Sequence, residues 1–341
     1  MRKAPHIGIL RAGARATIAD VAGVTVGHCT LDAGDVQTGV TIVLPHSGDL
    51  YREKVPAAAC VINGFGKSVG LVQVDELGVL ETPIALTNTF GVGAVAAAQI
   101  RSACEAHRDI GREWPSVNPL VFECNDGYLN DLQAFAVDEA HYRQALAGCA
   151  KDFACGAVGA GRGMSCFELK GGIGSASRIV DIGGNAYVVG ALVLANFGRL
   201  PQLTIAGEPV GLALHAAAQS QMTTEQGSII MLLATDAPLD SRQLRRMAMR
   251  AAAGLARTGS VYGHGSGDIA LAFSTAYTVP HDAAYVTLPP LLPDARLDPL
   301  FQAAADSIEQ AILDALFSAE TVTGRNGHRR LSLTDALKPT P

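Results

Sequence analysis

The sequence predicts an α/β fold, a single domain in which large β-sheets are buried between helices. Runs rich in Val and Ile are almost continuously apolar, which is typical of strands covered on both faces. Other runs are longer and have helical periodicity. With 341 residues, 48% of them hydrophobic, the chain is long enough for one large or two fused cores, and no domain boundary looks like a linker.

The predicted elements follow one another without the regular βαβα order of a doubly wound sheet. The predicted strands are 39–44, 57–62, 119–123, 186–195, 229–234 and 268–273, and the predicted helices are 93–107, 141–150, 241–256 and 299–317. Asp240 is suited to cap the third helix, whose apolar residues lie opposite its arginines. The glycine-rich stretches 156–163, 171–174 and 263–267 are expected to be loops, 218–227 a polar surface loop, and 321–341 a loosely held tail.

Composition and charge exclude several classes of protein. The net charge of −6 argues against a nucleic-acid partner and leaves no basic face for a membrane surface. No stretch has the roughly 18 consecutive apolar residues of a membrane span, and the N-terminal segment lacks the apolar core of a signal peptide. The seven cysteines are dispersed and form no C-x-x-C pair, as in reduced proteins. We therefore expect a cytoplasmic protein without disulfides.

The bond between Gly227 and Ser228 is the strongest candidate for chemistry, because an apolar run predicted to be a strand follows it at once. Gly227 has no Cβ, so its carbonyl is open to attack, and the Ser228 hydroxyl is adjacent to that carbonyl. Breaking the bond would give Ser228 both a nucleophilic hydroxyl and an α-amine with a pKa of roughly 7.7–8.0, which can act as a base. The alternative is that Gly-Ser is an ordinary turn.

Two further clusters contain groups that can assist a serine nucleophile. Ser266 and Asp268 stand at i and i+2 before a predicted strand, so their side chains can project the same way, with Ser266 linking the carboxylate to the Ser228 amine. The alternative is a glycine-rich hairpin with a solvated carboxylate. Asn196 ends a very apolar run, where an amide is either an oxyanion donor or a turn former.

A third cluster, residues 123–131, follows a hydrophobic strand with acids and amides. Its functional interpretation is a pocket wall in which Glu123, Asn125 or Asp126 binds a substrate ammonium group and Tyr128 assists the oxyanion. The Asn-Asp-Gly sequence is also a turn signal. Lys170, in a fourth glycine-rich cluster, is either a positive charge near the nucleophile or a surface lysine. The turns at 63–66 and 88–93 are expected to shape the entrance of the site.

Several signatures of other enzyme classes are missing. Residues 156–161 do not form the G-x-G-x-x-G dinucleotide motif, there is no H-E-x-x-H, and the nine histidines are dispersed. Ser266 does not lie in a G-x-S-x-G elbow. We therefore expect neither a cofactor nor a metal. Cys124, beside acids and amides, stays open as a less favoured nucleophile.

Taken together, these stretches resemble the family of self-processing L-aminopeptidase/D-amino-acid esterases and β-aminopeptidases (DmpA/BapA type), with nylon-oligomer hydrolases as relatives. The resemblance extends over most of the chain, from about residue 18 to 274. It rests on the order and spacing of the motifs at 20–28, 123–131, 170–178, 195–198, 227–230 and 265–268. A serine at 228 together with a serine at 266 favours the aminopeptidase branch over the polyamide branch.

The resemblance implies a four-layer αββα sandwich like that of N-terminal-nucleophile hydrolases, with a distinct topology. It implies self-cleavage of one domain, 1–341, into 1–227 and 228–341, which stay associated and assemble into a homo-oligomer. Matched by motif, the resemblance implies Ser228 as the nucleophile, with Ser266 and Asp268 as the pair that orients and tunes it. It implies Asn196 as the oxyanion donor and Tyr128 and Lys170 as site residues. Glu123 is a weaker candidate for binding the substrate amine. The implied substrates are small peptides, amides or esters with an α-L-, β- or D-aminoacyl group.

Three alternatives stay open from the sequence. An acyltransferase of the ornithine-acetyltransferase kind shares the self-cleavage logic but is expected to use Thr at the cut. A nylon-oligomer-type amidase is the second. A non-catalytic assembly protein, which would stay a single intact polypeptide, is the third.

Overall fold

The computed structural model describes residues 4–218 and 227–338. The stretch predicted to be a surface loop falls almost entirely on residues 219–226, outside the described residues. The strands are β1 (Thr25–Ala33), β2 (Val36–Leu44), β3 (Glu53–Gly64), β4 (Val79–Leu80), β5 (Ile84–Asn88), β6 (Leu120–Cys124), β7 (Ser165–Cys166), β8 (Leu169–Lys170), β9 (Gly172–Ile182), β10 (Asn185–Asn196), β11 (Gly227–Thr235), β12 (Ser266–Ser274), β13 (Val279–Pro280), β14 (Val322–Thr323) and β15 (Arg329–Arg330). The helices are α1 (Leu71–Leu77), α2 (Val92–Ala106), α3 (Glu139–Ala147), α4 (Val210–Ala218), α5 (Ser241–Ala248), α6 (Ala251–Arg257), α7 (Asp298–Ser318) and α8 (Leu333–Ala336).

Two sheets pack face to face. The first has the strand order β1-β2-β5-β6, and the second has the order β13-β3-β12-β11-β10-β9, with β4 also pairing with β3. In the second sheet β11 is parallel to β12 and antiparallel to β10. Alternate residues of β11 face opposite sides, so Ile230 and Leu232 enter the core between the sheets while Met231 and Leu233 face the helices.

Helices cover the outer face of each sheet. A core that includes Val95 of α2 and Tyr142 of α3 lies on the outer side of the first sheet. Helices α5, α6 and α7 cover the second sheet, where α7 contributes Ile308 and Ile312. The order of layers is therefore α, β, β, α, which confirms the sandwich that the family resemblance implies. Among the described residues, no helix is both apolar and long enough to cross a bilayer.

Three local expectations are wrong. Residues 171–174 are not a loop, because Gly172–Ile182 forms β9 and a Cβ on Gly174 would lie 2.0 Å from the Ala311 carbonyl oxygen of α7, so a glycine there lets helix and strand approach. The predicted helix 241–256 is two helices, α5 and α6, joined by a turn tightened by the bond from Arg250 N to Met247 O. The predicted tail is regular over its described residues, 321–338, where β14 pairs with β15 and α8 follows.

Candidate active site

Ser228 is the second residue of β11, in the middle of the second sheet. Its antiparallel neighbour on β10 is Asn196, and its parallel neighbour on β12 is Gly267. Residues directly opposite each other on antiparallel strands point to the same face, so the side chains of Asn196 and Ser228 lie side by side. Both residues are at least 95% buried, which places them in a site that admits little bulk water.

The Ser228 hydroxyl lies beside the peptide bond that precedes it. Oγ donates a hydrogen bond of 2.7 Å to the Gly227 carbonyl oxygen and accepts one of 3.3 Å from the Gly267 amide. A Cβ at Gly267 would lie 3.1 Å from this Oγ and 2.6 Å from the Phe65 carbonyl oxygen, so no larger residue fits without a shift. The Gly267 amide is a site group that we did not predict. A glycine inside a strand, which marks a close approach, was the signal for it.

Ser266 and Asp268 form a buried pair on β12. The Ser266 hydroxyl donates to Asp268 Oδ1 over 2.5 Å, in agreement with their i, i+2 spacing. The register sets Ser266 opposite Gly227 and Asp268 opposite Ile229, so by alternation both side chains lie on the other face of the sheet from the Ser228 hydroxyl. The pair therefore borders the Gly227–Ser228 peptide bond, and Gly267 borders the hydroxyl.

Two hydrogen bonds fix the side-chain amide of Asn196. Its Oδ1 accepts from the Ser165 amide at 2.8 Å, and its Nδ2 donates to the Asn125 carbonyl oxygen at 3.0 Å. Because Nδ2 carries two protons, one stays available to an oxyanion beside Ser228. The orienting role of Ser165 could not be read from the sequence, since 31 residues separate it from Asn196.

Lys170 is neither a surface residue nor hydrogen-bonded to Ser228. It is fully buried, and Nζ donates to the carbonyl oxygens of Gly161, Met164 and Gly171 at 2.7–2.9 Å. Desolvation lowers the pKa of Lys170 from 10.5 to about 7. The surface alternative is wrong, and the contacts show that Lys170 anchors the segment leading into Ser165, which in turn orients Asn196.

Glu123 lies at the edge of the site. Its Oε1 accepts from the Lys67 amide at 2.9 Å, and its Oε2 accepts from the Thr89 hydroxyl at 2.5 Å. A Cβ on Gly66 would lie 3.7 Å from Glu123 Oε1 and 3.9 Å from the Gly267 Cα, so this carboxylate is close to the strand end that borders Ser228. Thr89 belongs to the predicted entrance turn 88–93, and Lys67 directly follows the other predicted turn, 63–66.

The side chains of Asn125 and Asp126 accept hydrogen bonds from their own segment. Asn125 Oδ1 accepts from the Gly127 amide at 2.9 Å in a turn, and the residue serves the site through its carbonyl instead. Asp126 is 1% exposed and accepts from Asn130 Nδ2, and a Cβ on Gly163 would lie 2.8 Å from its Cβ. Burial raises the pKa of Asp126 from 3.8 to about 7. Asp126 is as buried as Glu123, and its role as a ligand of the substrate amine stays a prediction.

Tyr128 is 41% exposed and carries an aromatic and cationic cluster on its ring. The His328 ring stacks on it at 4.7 Å between centroids, and the Arg330 guanidinium carbon lies 3.7 Å from the ring centroid. Arg330 Nε donates to the Ser165 hydroxyl at 3.2 Å. The C-terminal hairpin β14–β15, expected to be a loose tail, therefore contributes to the site. From the sequence, the charged residues of this segment could be noted but not its contact with Tyr128.

Cys124 is not a nucleophile. Its thiol is fully buried below β11 and donates to the carbonyl oxygens of Ser228 and Leu194. Burial, followed by the nearby carboxylates of Glu123 and Asp268, raises the pKa of this thiol well above its usual value. A protonated, inaccessible thiol does not attack a substrate. In the part of the chain that the structure describes, no three His, Cys, Asp or Glu side chains are grouped so as to hold a metal ion.

A strand-mounted serine with an adjacent amide and a buried serine–carboxylate pair is an arrangement for acyl transfer, and comparison with known proteins agrees. The model of Peptidase family S58 matches residues 16–330. The chain belongs to this family. The β-peptidyl aminopeptidase BapA of Sphingosinicella microcystinivorans is 40% identical over 93% of this chain and 85% of its own length.

Solved structures agree with this family assignment. The PH0078 protein of Pyrococcus horikoshii OT3 superimposes with a TM-score of 0.92 at 51% identity, covering 96% of this chain and 94% of its own. The L-aminopeptidase D-Ala-esterase/amidase of Ochrobactrum anthropi, described as a variant of the Ntn hydrolase fold, gives a TM-score of 0.89 at 35% identity, covering 98% and 95%. This S58 member is therefore a hydrolase with aminopeptidase activity on peptide substrates. The acyltransferase and polyamide alternatives are not favoured.

Proposed function

We propose that this chain cuts itself between Gly227 and Ser228 and then acts as a serine aminopeptidase. The observation that carries the proposal is the 2.7 Å hydrogen bond from Ser228 Oγ to the Gly227 carbonyl oxygen, at a glycine whose peptide is bordered by Ser266. The nucleophile thus lies next to the carbonyl that it would attack. The single sandwich of 341 residues would become the pieces 1–227 and 228–341.

In the self-cleavage, Ser228 Oγ attacks the Gly227 carbonyl carbon and the C–N bond breaks. The nitrogen takes a proton and becomes the α-amine of Ser228, and Gly227 is left as an ester on Oγ. Water then hydrolyses the ester, which releases the Gly227 carboxylate and restores the hydroxyl. The missing Cβ of Gly227 leaves the carbonyl open to this attack.

In the mature enzyme the same hydroxyl attacks the substrate. The α-amine of Ser228 accepts its proton, and the Ser266–Asp268 pair, bordering the place that Gly227 leaves, orients the amine and tunes its protonation. Asn196 Nδ2 donates to the oxyanion. The leaving amine takes the proton, and water hydrolyses the acyl-enzyme. Glu123, held as a carboxylate acceptor beside Gly267, binds the free ammonium group, which restricts cleavage to the N-terminal residue.

The substrates we propose are short peptides, amides and esters with a free N-terminal amine. The name of the 40% identical relative, a β-peptidyl aminopeptidase, favours β-aminoacyl groups among them. We further propose a homo-oligomer of the two-piece unit and a cytoplasmic location. All seven cysteines are free thiols, which supports a reducing compartment.

Denaturing mass spectrometry on the purified protein tests the proposal. Wild type should give two pieces meeting at Gly227/Ser228, and Ser228→Ala should stay whole and inactive. Ser228→Cys, which keeps a nucleophile, should still be cut. Ser274→Ala, at another buried strand serine whose hydroxyl donates to the Ala237 carbonyl, is the matched control and should process normally. A wild-type chain that stays whole and yet hydrolyses aminoacyl amides would overturn the self-cleavage mechanism.

A further inference from the structure

The Arg330 guanidinium has an unusual environment. It is held at two points, where Cζ lies over the Tyr128 ring and Nε donates to the Ser165 hydroxyl. Among the described residues, no carboxylate lies within 4.0 Å of it, and Nη1 and Nη2 donate no hydrogen bond to the protein. A guanidinium always carries its charge and offers a planar fork for two oxygen atoms. This fork is therefore fixed in place while its terminal donors stay unoccupied by the protein.

The partial burial of Arg330 strengthens the argument for an anionic ligand. Arg330 is only partly exposed, and desolvation lowers its pKa, with the Tyr128 phenol and Glu168 acting in the opposite direction. Withdrawing a charge from water without an ion-pair partner in contact costs free energy, and Glu168 lies beyond 4.0 Å from Arg330. Half-buried Arg162 pairs with the Glu320 carboxylate, whereas Arg178, Arg250 and Arg325 donate to backbone carbonyl oxygens. Among the described residues, the Arg330 guanidinium instead binds a hydroxyl, through Nε alone, which leaves its terminal nitrogens for an anionic ligand.

The location of Arg330 connects it to the reaction. Its Nε binds the Ser165 hydroxyl, the Ser165 amide binds Asn196, and Asn196 pairs with Ser228 across the sheet. The segment that begins at Glu123 continues through Asn125, which also binds Asn196, and reaches Tyr128 under the guanidinium. The carboxylate of Glu123 and the cation of Arg330 therefore lie at opposite ends of one segment that crosses the site at Asn196.

We propose that Arg330 binds the C-terminal carboxylate of a short peptide, and so makes the enzyme selective for free dipeptides and tripeptides. This inference rests on the proposed function, in which Glu123 binds the substrate amine. The six residues 123–128 can extend over at most about 20 Å, an upper limit that is long enough for a peptide of two or three residues. The two charged ends of a short peptide match this polarity, and longer peptides or amides lack the carboxylate at that distance.

The test compares dipeptides with their C-terminal amides, in which the scissile bond is the same. We would measure kcat/KM of the processed full-length protein on β-alanyl-L-alanine, L-alanyl-L-alanine and the two matching amides. Wild type should prefer the acid, and Arg330→Gln should lower the acid-to-amide ratio roughly tenfold or more, mainly through KM. Arg330→Lys, which keeps the charge without the fork, should retain part of the preference.

Arg329→Gln is the matched control, because Arg329 is the exposed neighbour on β15 and its loss changes the net charge equally. Its acid-to-amide ratio should equal that of wild type. Equal losses on acid and amide in Arg330→Gln would mean that Arg330 only supports Tyr128, and would overturn the inference. Equal wild-type rates on acid and amide would also overturn it. A wild type that hydrolyses neither would overturn the proposed function and this inference together.

Discussion

The candidate site has two walls that are built by different means. The sheet wall consists of the ends of β10, β11 and β12, and its side chains are Asn196, Ser228, Ser266 and Asp268. The loop wall consists of segments 123–131, 159–170 and 321–331. Strand register places every group on the sheet wall, whereas contacts between distant segments place the groups on the loop wall.

The difference separates the roles of the residues. Groups on the sheet wall are those that a reaction at Ser228 requires, and strand pairing places them, with the Asn196 amide further oriented by Ser165 and Asn125 of the loop wall. Groups on the loop wall are supports, such as Lys170, or groups at the margin, such as Glu123 and Arg330. Substitutions in the sheet wall should therefore act on kcat, and those in the loop wall on stability or selectivity.

The largest expected effect is on the sheet wall. Asn196→Ala removes the oxyanion donor and should lower kcat of the processed enzyme by about 10²–10³, equivalent to about 2.7–4 kcal/mol. The measurement is steady-state hydrolysis of an aminoacyl p-nitroanilide. Asn185→Ala, at the exposed start of the same strand, is the control and should keep wild-type kcat. If Asn196→Ala kept the wild-type kcat, the oxyanion donor would have to be another group, such as the Gly267 amide.

Asp126 on the loop wall should make stability depend on pH. Since its pKa is raised from 3.8 to about 7 in the folded protein, the carboxyl keeps its proton where the unfolded chain has lost it. Its contribution is full below about pH 4 and is lost as the pH rises through about 7. Asp126→Asn stays neutral, so its free energy of unfolding relative to wild type should rise between those pH values, by at most about 4 kcal/mol.

Urea unfolding at several pH values checks this prediction. Asp152→Asn is the control, because Asp152 is exposed and pairs only with Arg15 at the surface. Its difference from wild type should stay within about 0.5 kcal/mol at every pH. An Asp126→Asn difference that does not change with pH would show that the carboxyl is equally ionised in the folded and unfolded states.

Lys170 should act as a support. Lys170→Met removes a hydrogen bond from each of three carbonyl oxygens and should cost about 3 kcal/mol of unfolding free energy. Lys151→Met, at an exposed lysine, should change stability by less than about 0.5 kcal/mol. If both variants were equally stable, Lys170 would have another purpose, and kcat would be the next quantity to measure.

The smallest expected effect concerns the contact that holds the second sheet against α7. Gly174→Ala forces a Cβ toward the Ala311 carbonyl oxygen and should destabilise the fold by about 1–3 kcal/mol. Gly93→Ala, in helix α2 with no heavy atom within 4 Å of its new Cβ, should instead stabilise it by about 0.5–1 kcal/mol. Thermal unfolding of both variants distinguishes these signs, and a neutral Gly174→Ala would show that the helix shifts readily.

The sequence is informative about the sheet wall because strands and their polar ends are local features. The apolar runs ending at Asn196 and starting after Ser228 are confirmed as β10 and β11. That these two residues stand opposite each other depends on the register, which no local pattern specifies. Strand β9 was missed because Gly and Ser have low strand propensity, and its pairing with β10 and packing on α7 override that preference.

The loop wall was less predictable. Lys170 has the same local sequence whether it is buried or exposed, and only the approach of residues 161–164 provides its carbonyl partners. The burial of Asp126 depends on Gly163, which is distant in the chain and lies over it. Arg330 is distant in the chain from everything that it contacts. Each of these outcomes depends on tertiary contact rather than on composition or periodicity.

The strand order of the second sheet has a consequence for how such an enzyme can be made. Strands β11 and β12 lie next to each other, between β10 on one side and β3 on the other. A chain cut before Ser228 would be two polypeptides that share one sheet, and separating them would break three strand pairings, β10 with β11, β3 with β12 and β3 with β13. Encoded by separate genes, each half would emerge with bare strand edges, which invite aggregation. Synthesis as one polypeptide lets both halves fold together into the same sheet. The strand order therefore requires that folding precedes the cut.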